Sequence, residues 1–325
     1  MRAPDFWQHG NPFAGLLTPL SWIWRVSMAA RTSRVTPVKL DVPVICIGNA
    51  VVGGAGKTPV AISVACLARQ LGLNPHFLSR GYGGANQGPL CVDPSQHLYS
   101  DVGDEPLLLA RHAPTWVARK RVSGGKHAIS NGADVIVMDD GFQNPEIHKD
   151  FSILVVDGGY GFGNGRVIPA GPLRESMQSA LERSDAVAII GADTEKVQEA
   201  VSIGKPVLKA RFVPKSDHKD ISGKRVIAFA GIGRPAKFFE TLTKMGCDVI
   251  ETRSFPDHCV FAKHQVLELL ELAETTDAIL VTTEKDEARL PPEMKSEIHI
   301  LRVKLEWNDR EAFDKVTTRA ILKKA

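Results

Sequence analysis

From Val42 onward, short unbroken apolar runs alternate with stretches of mixed character. "VPVICIG" (42–48), "PHFLS" (75–79), "TWVAR" (115–119), "ADVIVMDDG" (133–141), "FSILVVDG" (151–158) and "DAVAIIG" (185–191) read as strands. Residues 58–71 and 103–112 between them read as helices. Runs that are apolar throughout, rather than at every second position, belong to strands covered on both faces. The expected class is therefore α/β, a mostly parallel sheet with helices on both faces. The stretch "VPKSDHKDISG" (213–223) lies in a polar region from about Lys209 and reads as a boundary. Beyond it come strand-like runs at 225–233, 247–252, 278–283 and 298–305, with helices expected at 235–245 and 262–274. The chain thus divides into an N-terminal segment (1–40), a core (41–219) and a smaller C-terminal α/β unit (220–325).

The N-terminal segment has a different pattern. Leu16, Leu20, Ile23 and Trp24 fall at helical spacing, followed by Arg25, Arg31 and Arg34. Trp7, Trp22 and Trp24 are three of the five tryptophans. Thr18, Pro19, Ser21 and Arg25 make the stretch too short and too polar to span a bilayer. Asp5 and His9 stand where a signal peptide carries its basic region. An amphipathic, Trp-rich, Arg-flanked helix either lies in a membrane interface or packs on the protein's own core.

Composition narrows the classes. With 325 residues, 43% hydrophobic and 24% charged, the chain is of soluble globular type. A net charge of +3 supplies no basic field for nucleic acid. Five cysteines at irregular spacing, without a C-x-x-C pair, point to a reducing compartment rather than to disulfides or structural zinc.

The chemistry begins where the first strand ends. "GNAVVGGAGKTP" (48–59) closes with Gly56-Lys57-Thr58, the end of a phosphate-binding loop. The common pattern wants a glycine where Val51 stands; Gly53 and Gly54 supply the freedom instead. Strand, loop and helix follow in the order that aims a helix N-terminus at phosphates. The expected nucleotide contacts are Val51, Val52, Gly53, Gly54, Ala55, Gly56, Lys57 and Thr58, with Lys57 on the outer phosphates and Thr58 on Mg²⁺. The spacing resembles the G-G-x-G-K-T variant of one branch of P-loop NTPases. Partitioning ATPases of that branch carry a lysine where this chain has Val52.

Such a loop needs a carboxylate from a neighbouring strand. "VIVMDD" offers Asp139 and Asp140 at a strand's C-terminal end, where α/β ligand crevices form. Asp104 and Glu105 in "VGDEP" fit a helix start as well as a site. His258 in "FPDHCVF", taken alone, fits a packed residue as well as a catalytic one. "RKR" (119–121) is either a phosphate clamp or a solvated turn, and "GFGNGRVIPAGPLRE" (161–175) is a plausible ligand loop.

Together with "SRGYGG", "MDDGFQ", "AFAGIGRPAKFF" and "VTTEKDEARL", these segments resemble the lipid A disaccharide 4'-kinase family, in family order over roughly residues 44–290. The resemblance implies a magnesium-dependent transfer of the ATP γ-phosphate to the 4'-hydroxyl of a lipid A disaccharide 1-phosphate. It implies a peripheral enzyme on the cytoplasmic face of the bacterial inner membrane, without nucleic acid or an obligate protein partner. It also implies roles. Asp104 and His258 form an acid–base dyad and act with Lys57. Thr58, Glu105, Asp139 and Asp140 serve the metal. Tyr82, Arg119, Arg121 and Arg174 are candidates for substrate or phosphate contacts. Two positions depart from the family. Ala55 stands where members often have serine, removing one hydroxyl, and Asn144 stands where many have histidine.

Two other readings compete. One is a partitioning-type switch ATPase, disfavoured by Val52 and by a second unit carrying His258. The other is a P-loop kinase of a soluble acceptor, disfavoured by the N-terminal Trp/Arg segment.

Overall fold

A computed structural model describes residues 4–201, 203–215 and 221–322. Residues 216–220, part of the expected boundary, lie outside it. Among the described residues, thirteen strands form two sheets. In chain order they are β1 (Val44–Gly48), β2 (Pro75–Ser79), β3 (Leu90–Cys91), β4 (Thr115–Val117), β5 (Val135–Asp139), β6 (Phe151–Asp157), β7 (Ala186–Ile190), β8 (Val207–Pro214), β9 (Arg225–Ala230), β10 (Asp248–Ser254), β11 (Ile279–Thr283), β12 (His299–Leu301) and β13 (Val303–Trp307).

The larger sheet has the order β13-β8-β7-β6-β1-β5-β2-β4-β3. It is parallel except at its edges, where β13 runs against β8 and β3 against β4. Its centre is as apolar as the runs predict: Val44, Ile45, Cys46 and Ile47 on β1 and Val135, Ile136, Val137 and Met138 on β5 have no exposed surface. Burying one such side chain contributes about 1.5–3 kcal/mol, so the strands that carry the site are also the best-anchored ones. The helix Lys57–Gln70 lies on this sheet through Val60, Ala61, Val64, Ala65 and Ala68, small residues that allow a close approach. Pro59 sits in its first turn, where a missing N–H costs nothing.

The smaller sheet, β10-β9-β11-β12, is wholly parallel. Phe229, Phe261, Val266 and Leu269 pack on one of its faces and Phe238 and Leu242 on the other. The strand expected at 298–305 is in fact two strands on different sheets. The chain turns at Arg302, and β13 pairs with β8 on the larger sheet. Trp307 stacks on Phe313 at 4.2 Å between ring centroids, and both join the core under the helix Lys57–Gln70. The stretch 303–322 therefore lies with the larger sheet rather than with the smaller unit expected over 220–325. β8 also falls within the stretch read as polar. Lys209 and Arg211 alternate there with Leu208 and Ala210, the signature of an outer strand with one wetter face.

At the N-terminus, three helices replace the one expected: Phe6–His9, Pro12–Leu16 and Thr18–Ser33. The third touches the body by polar anchors. Ser21 Oγ donates to the Val167 carbonyl at 2.6 Å, and Trp24 Nε1 donates to the Arg174 carbonyl at 3.1 Å. Its apolar side chains remain outside: Trp22 is 66% exposed, Ile23 67% and Val26 69%. Of the two alternatives, packing on the core does not account for these side chains.

Candidate active site

The loop between β1 and the helix Lys57–Gln70 is built on two left-handed glycines, Gly53 (φ 113°) and Gly56 (φ 89°). A Cβ at Gly56 would come within 3.0 Å of the Phe212 ring, while Gly53 and Gly54 face open space. Val51 is buried and bridges to Leu173, and Val52 N–H donates to the Pro172 carbonyl at 2.9 Å. The missing glycine is thus replaced by a strand-like bridge to the 161–175 loop, which extended residues make well. Ala55 is buried in the apolar cluster beneath the loop, so a methyl fits here without a hydroxyl to satisfy. Asn49, which sequence reading passed over, braces the turn: its Nδ2 donates to the Gly53 carbonyl at 3.2 Å, and its Oδ1 accepts from Lys57 Nζ at 3.3 Å.

The two aspartates divide their work. Asp139, at the end of β5, accepts from Thr58 Oγ1 through Oδ2 at 2.9 Å, while its buried Oδ1 has no protein partner. Burial, reinforced by the charge of Glu105, raises its carboxyl from 3.8 to about 7. Asp140, in the left-handed region (φ 51°), lies 3.6 Å from Lys57 Nζ and accepts from Arg174 Nη1 at 2.9 Å. Burial alone would raise its carboxyl, but Lys57 and Arg174 together hold it down at about 2. Such a pair, one carboxylate proton-binding and its neighbour ionised, is typical of functional sites.

The second lobe closes over this loop. A cavity of about 480 Å³ between the lobes is lined by Gly54, Lys57, Thr58, Phe212, Arg234 and Lys285, among others. Asp157, at the end of β6, is held from the other lobe by Arg234 and by Lys237, whose Nζ lies 2.6 Å from both carboxylate oxygens. His258 is brought to Asp104: Nδ1 lies 3.1 and 3.0 Å from the two carboxylate oxygens. Gly103 (φ 88°) permits the turn before Asp104, where a Cβ would strike the Tyr82 carbonyl at 2.3 Å. Burial would raise the Asp104 carboxyl, yet the hydrogen bond from His258 and the nearby Lys285 and Arg289 hold it down at about 2. Tyr82 packs edge-on against the His258 ring, centroids 5.2 Å apart. Glu105 accepts from Lys285 Nζ at 3.1 Å.

The arginines separate. Arg174 reaches Asp140. Arg121 is buried, donates its guanidinium to the Ala118 carbonyl, and is kept below its usual value, at about 10, first by burial and then by Arg80. Arg119 is exposed, its backbone N–H donating to Gln87. "RKR" is therefore neither a solvated turn throughout nor a clamp on the loop. Its last member is an internal brace at the start of the helix Arg121–Ser130. Asn144 caps the turn after Asp140, its Oδ1 accepting from Glu146 N–H at 3.0 Å.

A second cavity, of about 1090 Å³, opens between the helix Thr18–Ser33 and the core. Trp22, Arg25 and Val26 line one wall; Gln143, Arg174 and Arg183 line the other. Arg174 thus belongs both to this cavity and to the aspartate pair.

Known proteins resemble the chain over nearly its whole length. Residues 13–322 match the family model described as LpxK, tetraacyldisaccharide-1-P 4'-kinase. The tetraacyldisaccharide 4'-kinase of Rhodospirillum rubrum is 47% identical over 99% of this chain and 98% of its own length. That of Paramagnetospirillum magneticum is 48% identical over 98% of this chain and 100% of its own. A crystal structure of LpxK from Aquifex aeolicus in complex with ATP superposes with a TM-score of 0.76 at 28% identity, covering 95% of this chain and 99% of that one.

Proposed function

The chain belongs to the tetraacyldisaccharide-1-phosphate 4'-kinase family, and on that premise we propose how its cleft performs the reaction. ATP lies in the cavity between the lobes, its phosphates on the N–H groups of Gly53–Thr58 and the N-terminus of the helix Lys57–Gln70. The 4'-hydroxyl of the lipid A disaccharide 1-phosphate approaches from the larger cavity. The sugar O–P bond forms as the bond from the γ-phosphorus to the bridging oxygen breaks, and ADP leaves. The hydroxyl proton goes to His258 Nε2. In the tautomer with Nδ1–H on Asp104, that nitrogen carries the lone pair, and the ionised Asp104 stabilises the imidazolium that forms. Lys57 and Arg174 offset charge on the transferred phosphoryl.

Thr58 and Asp139 would hold magnesium, which when bound would offset phosphate charge. A buried carboxylate oxygen without a partner, beside a hydroxyl, fits an ion that takes few protein ligands and the remainder from phosphates and water. The negative charges of Glu105 and Asp140 act on the Asp139 carboxyl and would favour a cation beside it.

The observation that carries this reading is the 3.0 Å contact between His258 and Asp104 across the cleft that holds the phosphate loop. The exposed Trp22, Ile23 and Val26 support peripheral docking on the cytoplasmic face of the inner membrane. No helix among the described residues is long and apolar enough to cross a membrane. Together the observations support an N-terminal docking segment, a kinase core and a smaller lobe that delivers His258. Incubation with γ-labelled ATP and the lipid A disaccharide 1-phosphate tests the reading. Label should pass to the lipid with wild-type protein and not with Lys57→Ala, and no transfer by wild type overturns it.

A further inference from the structure

Arg289, in the segment "VTTEKDEARL", is a buried arginine whose guanidinium faces Asp104 and reaches backbone carbonyls beside His258. Its Nη2 donates to the Gly231 carbonyl at 3.0 Å and to Asp286 Oδ1 at 2.7 Å. Its Nη1 donates to the Cys259 carbonyl at 3.1 Å. Its Nε stands 3.3 Å from Asp104 Oδ2, off the line of the N–H bond, an ion pair rather than a hydrogen bond.

The Gly231 carbonyl also accepts from His258 N–H at 3.1 Å. His258 itself has a positive φ of 58°, a conformation that a non-glycine residue keeps only when its surroundings impose it. The guanidinium therefore holds the His258 loop from both sides, at Gly231 and at Cys259, while facing the carboxylate that orients the imidazole. Asp286 locks the guanidinium in turn. Its Oδ1 accepts from Gly231 N–H at 3.0 Å and its Oδ2 from Thr283 Oγ1 at 2.6 Å.

We infer that Arg289 is a positioning residue for phosphoryl transfer, aligning His258 with Asp104 by bridging the loop of one and the carboxylate of the other. The inference rests on the kinase reading above. Docking of the lobe has other supports. Lys285 pairs with Glu105 at 3.1 Å, Arg111 with Glu287 at 2.9 Å and Lys237 with Asp157 at 2.6 Å. A residue that only fastened the lobes would act in parallel with these pairs and independently of Asp104. A residue that aligns the dyad acts through Asp104 and has nothing left to align once Asp104 is gone. Lysine keeps the charge but is a single point donor and cannot reach all three acceptors while facing Asp104.

A double-mutant cycle separates the two. kcat and both KM values are measured for wild type, Arg289→Met, Asp104→Ala and the double variant. Arg289→Met is expected to lose about 100-fold in kcat, the scale of a small misplacement of reacting groups, with each KM within about two-fold of wild type. The double variant is expected within about two-fold of Asp104→Ala alone, and Arg289→Lys to recover about ten-fold over Arg289→Met. Losses that multiply, or a rise in either KM larger than the fall in kcat, overturn the inference and leave the kinase reading standing. No transfer by wild type overturns both. If circular dichroism shows Arg289→Met unfolded, Arg289→Lys replaces it in the same cycle, judged by the same criterion.

Discussion

Gly233, from the second lobe, lies against the backbone of Gly54 in the phosphate loop, so closely that a Cβ at 233 would come 2.6 Å from the Gly54 nitrogen. The obstructing atom is backbone, so no side chain can turn aside to make room. Gly233→Ala should therefore hold the lobes apart. The expected result is a fall in kcat of about ten-fold or more, with global stability near wild type because both partners lie at a cleft. Steady-state kinetics beside a thermal melt checks it, and unchanged turnover would show that the lobes need not approach this closely.

Asp139 predicts a pH dependence. Its raised pKa means that, without metal, its share of folded-state stability is present below about pH 4 and lost as pH rises through about 7. Asp139→Asn cannot ionise. Its apo Tm should therefore exceed wild type increasingly from about pH 4 to about pH 7 and by a constant margin above that. Magnesium must displace the Asp139 proton, so wild-type affinity for MgATP should strengthen over the same range while that of the variant stays flat. Melting curves with and without MgATP read both effects, and parallel profiles for the two proteins would refute the assignment.

His258→Asn should lower kcat by about 10²–10⁴-fold, the range of a lost general base. ATP affinity should change little, since no phosphate contact is assigned to the imidazole. Nucleotide binding by calorimetry beside single-turnover transfer separates these quantities. A comparable loss of ATP affinity would mean that His258 acts by shaping the cleft.

Ile23→Asp combined with Val26→Asp should reduce binding to vesicles of inner-membrane composition by ten-fold or more, since each charge opposes burial in the interface. The melting temperature should be unaffected because both side chains are exposed. Co-sedimentation is the direct measurement, and undiminished pelleting would detach this helix from the membrane.

Local patterns in the sequence were sufficient for the strands that carry the loop and Asp139, because buried parallel strands are unbroken apolar runs. Thr58 and Asp139 were legible for the same reason: each stands at a fixed offset from such a run. His258 and Asp104 were not readable from spacing. They lie 154 positions apart, and only the family resemblance joined them. Lys285 and Arg289 look on paper like charges on a solvated helix, and burial is what makes them informative. Arg121 shows the converse, a basic cluster that reads as either a clamp or a solvated turn yet turns its last member inward. The return of β13 to the larger sheet was hidden because "IHILRVKL" is one continuous strand-like run with no Gly, Pro, Asn or Asp to mark the turn at Arg302.

That return has a mechanical meaning. The smaller lobe is an insertion into the kinase sheet, with a tether at each end. The tethers meet where the Lys215 N–H donates to the Arg302 carbonyl at 3.0 Å, just beyond the paired strands β8 and β13. Because the chain leaves and rejoins the larger sheet on adjacent strands, the lobe that carries His258 is anchored to one end of a single antiparallel pair.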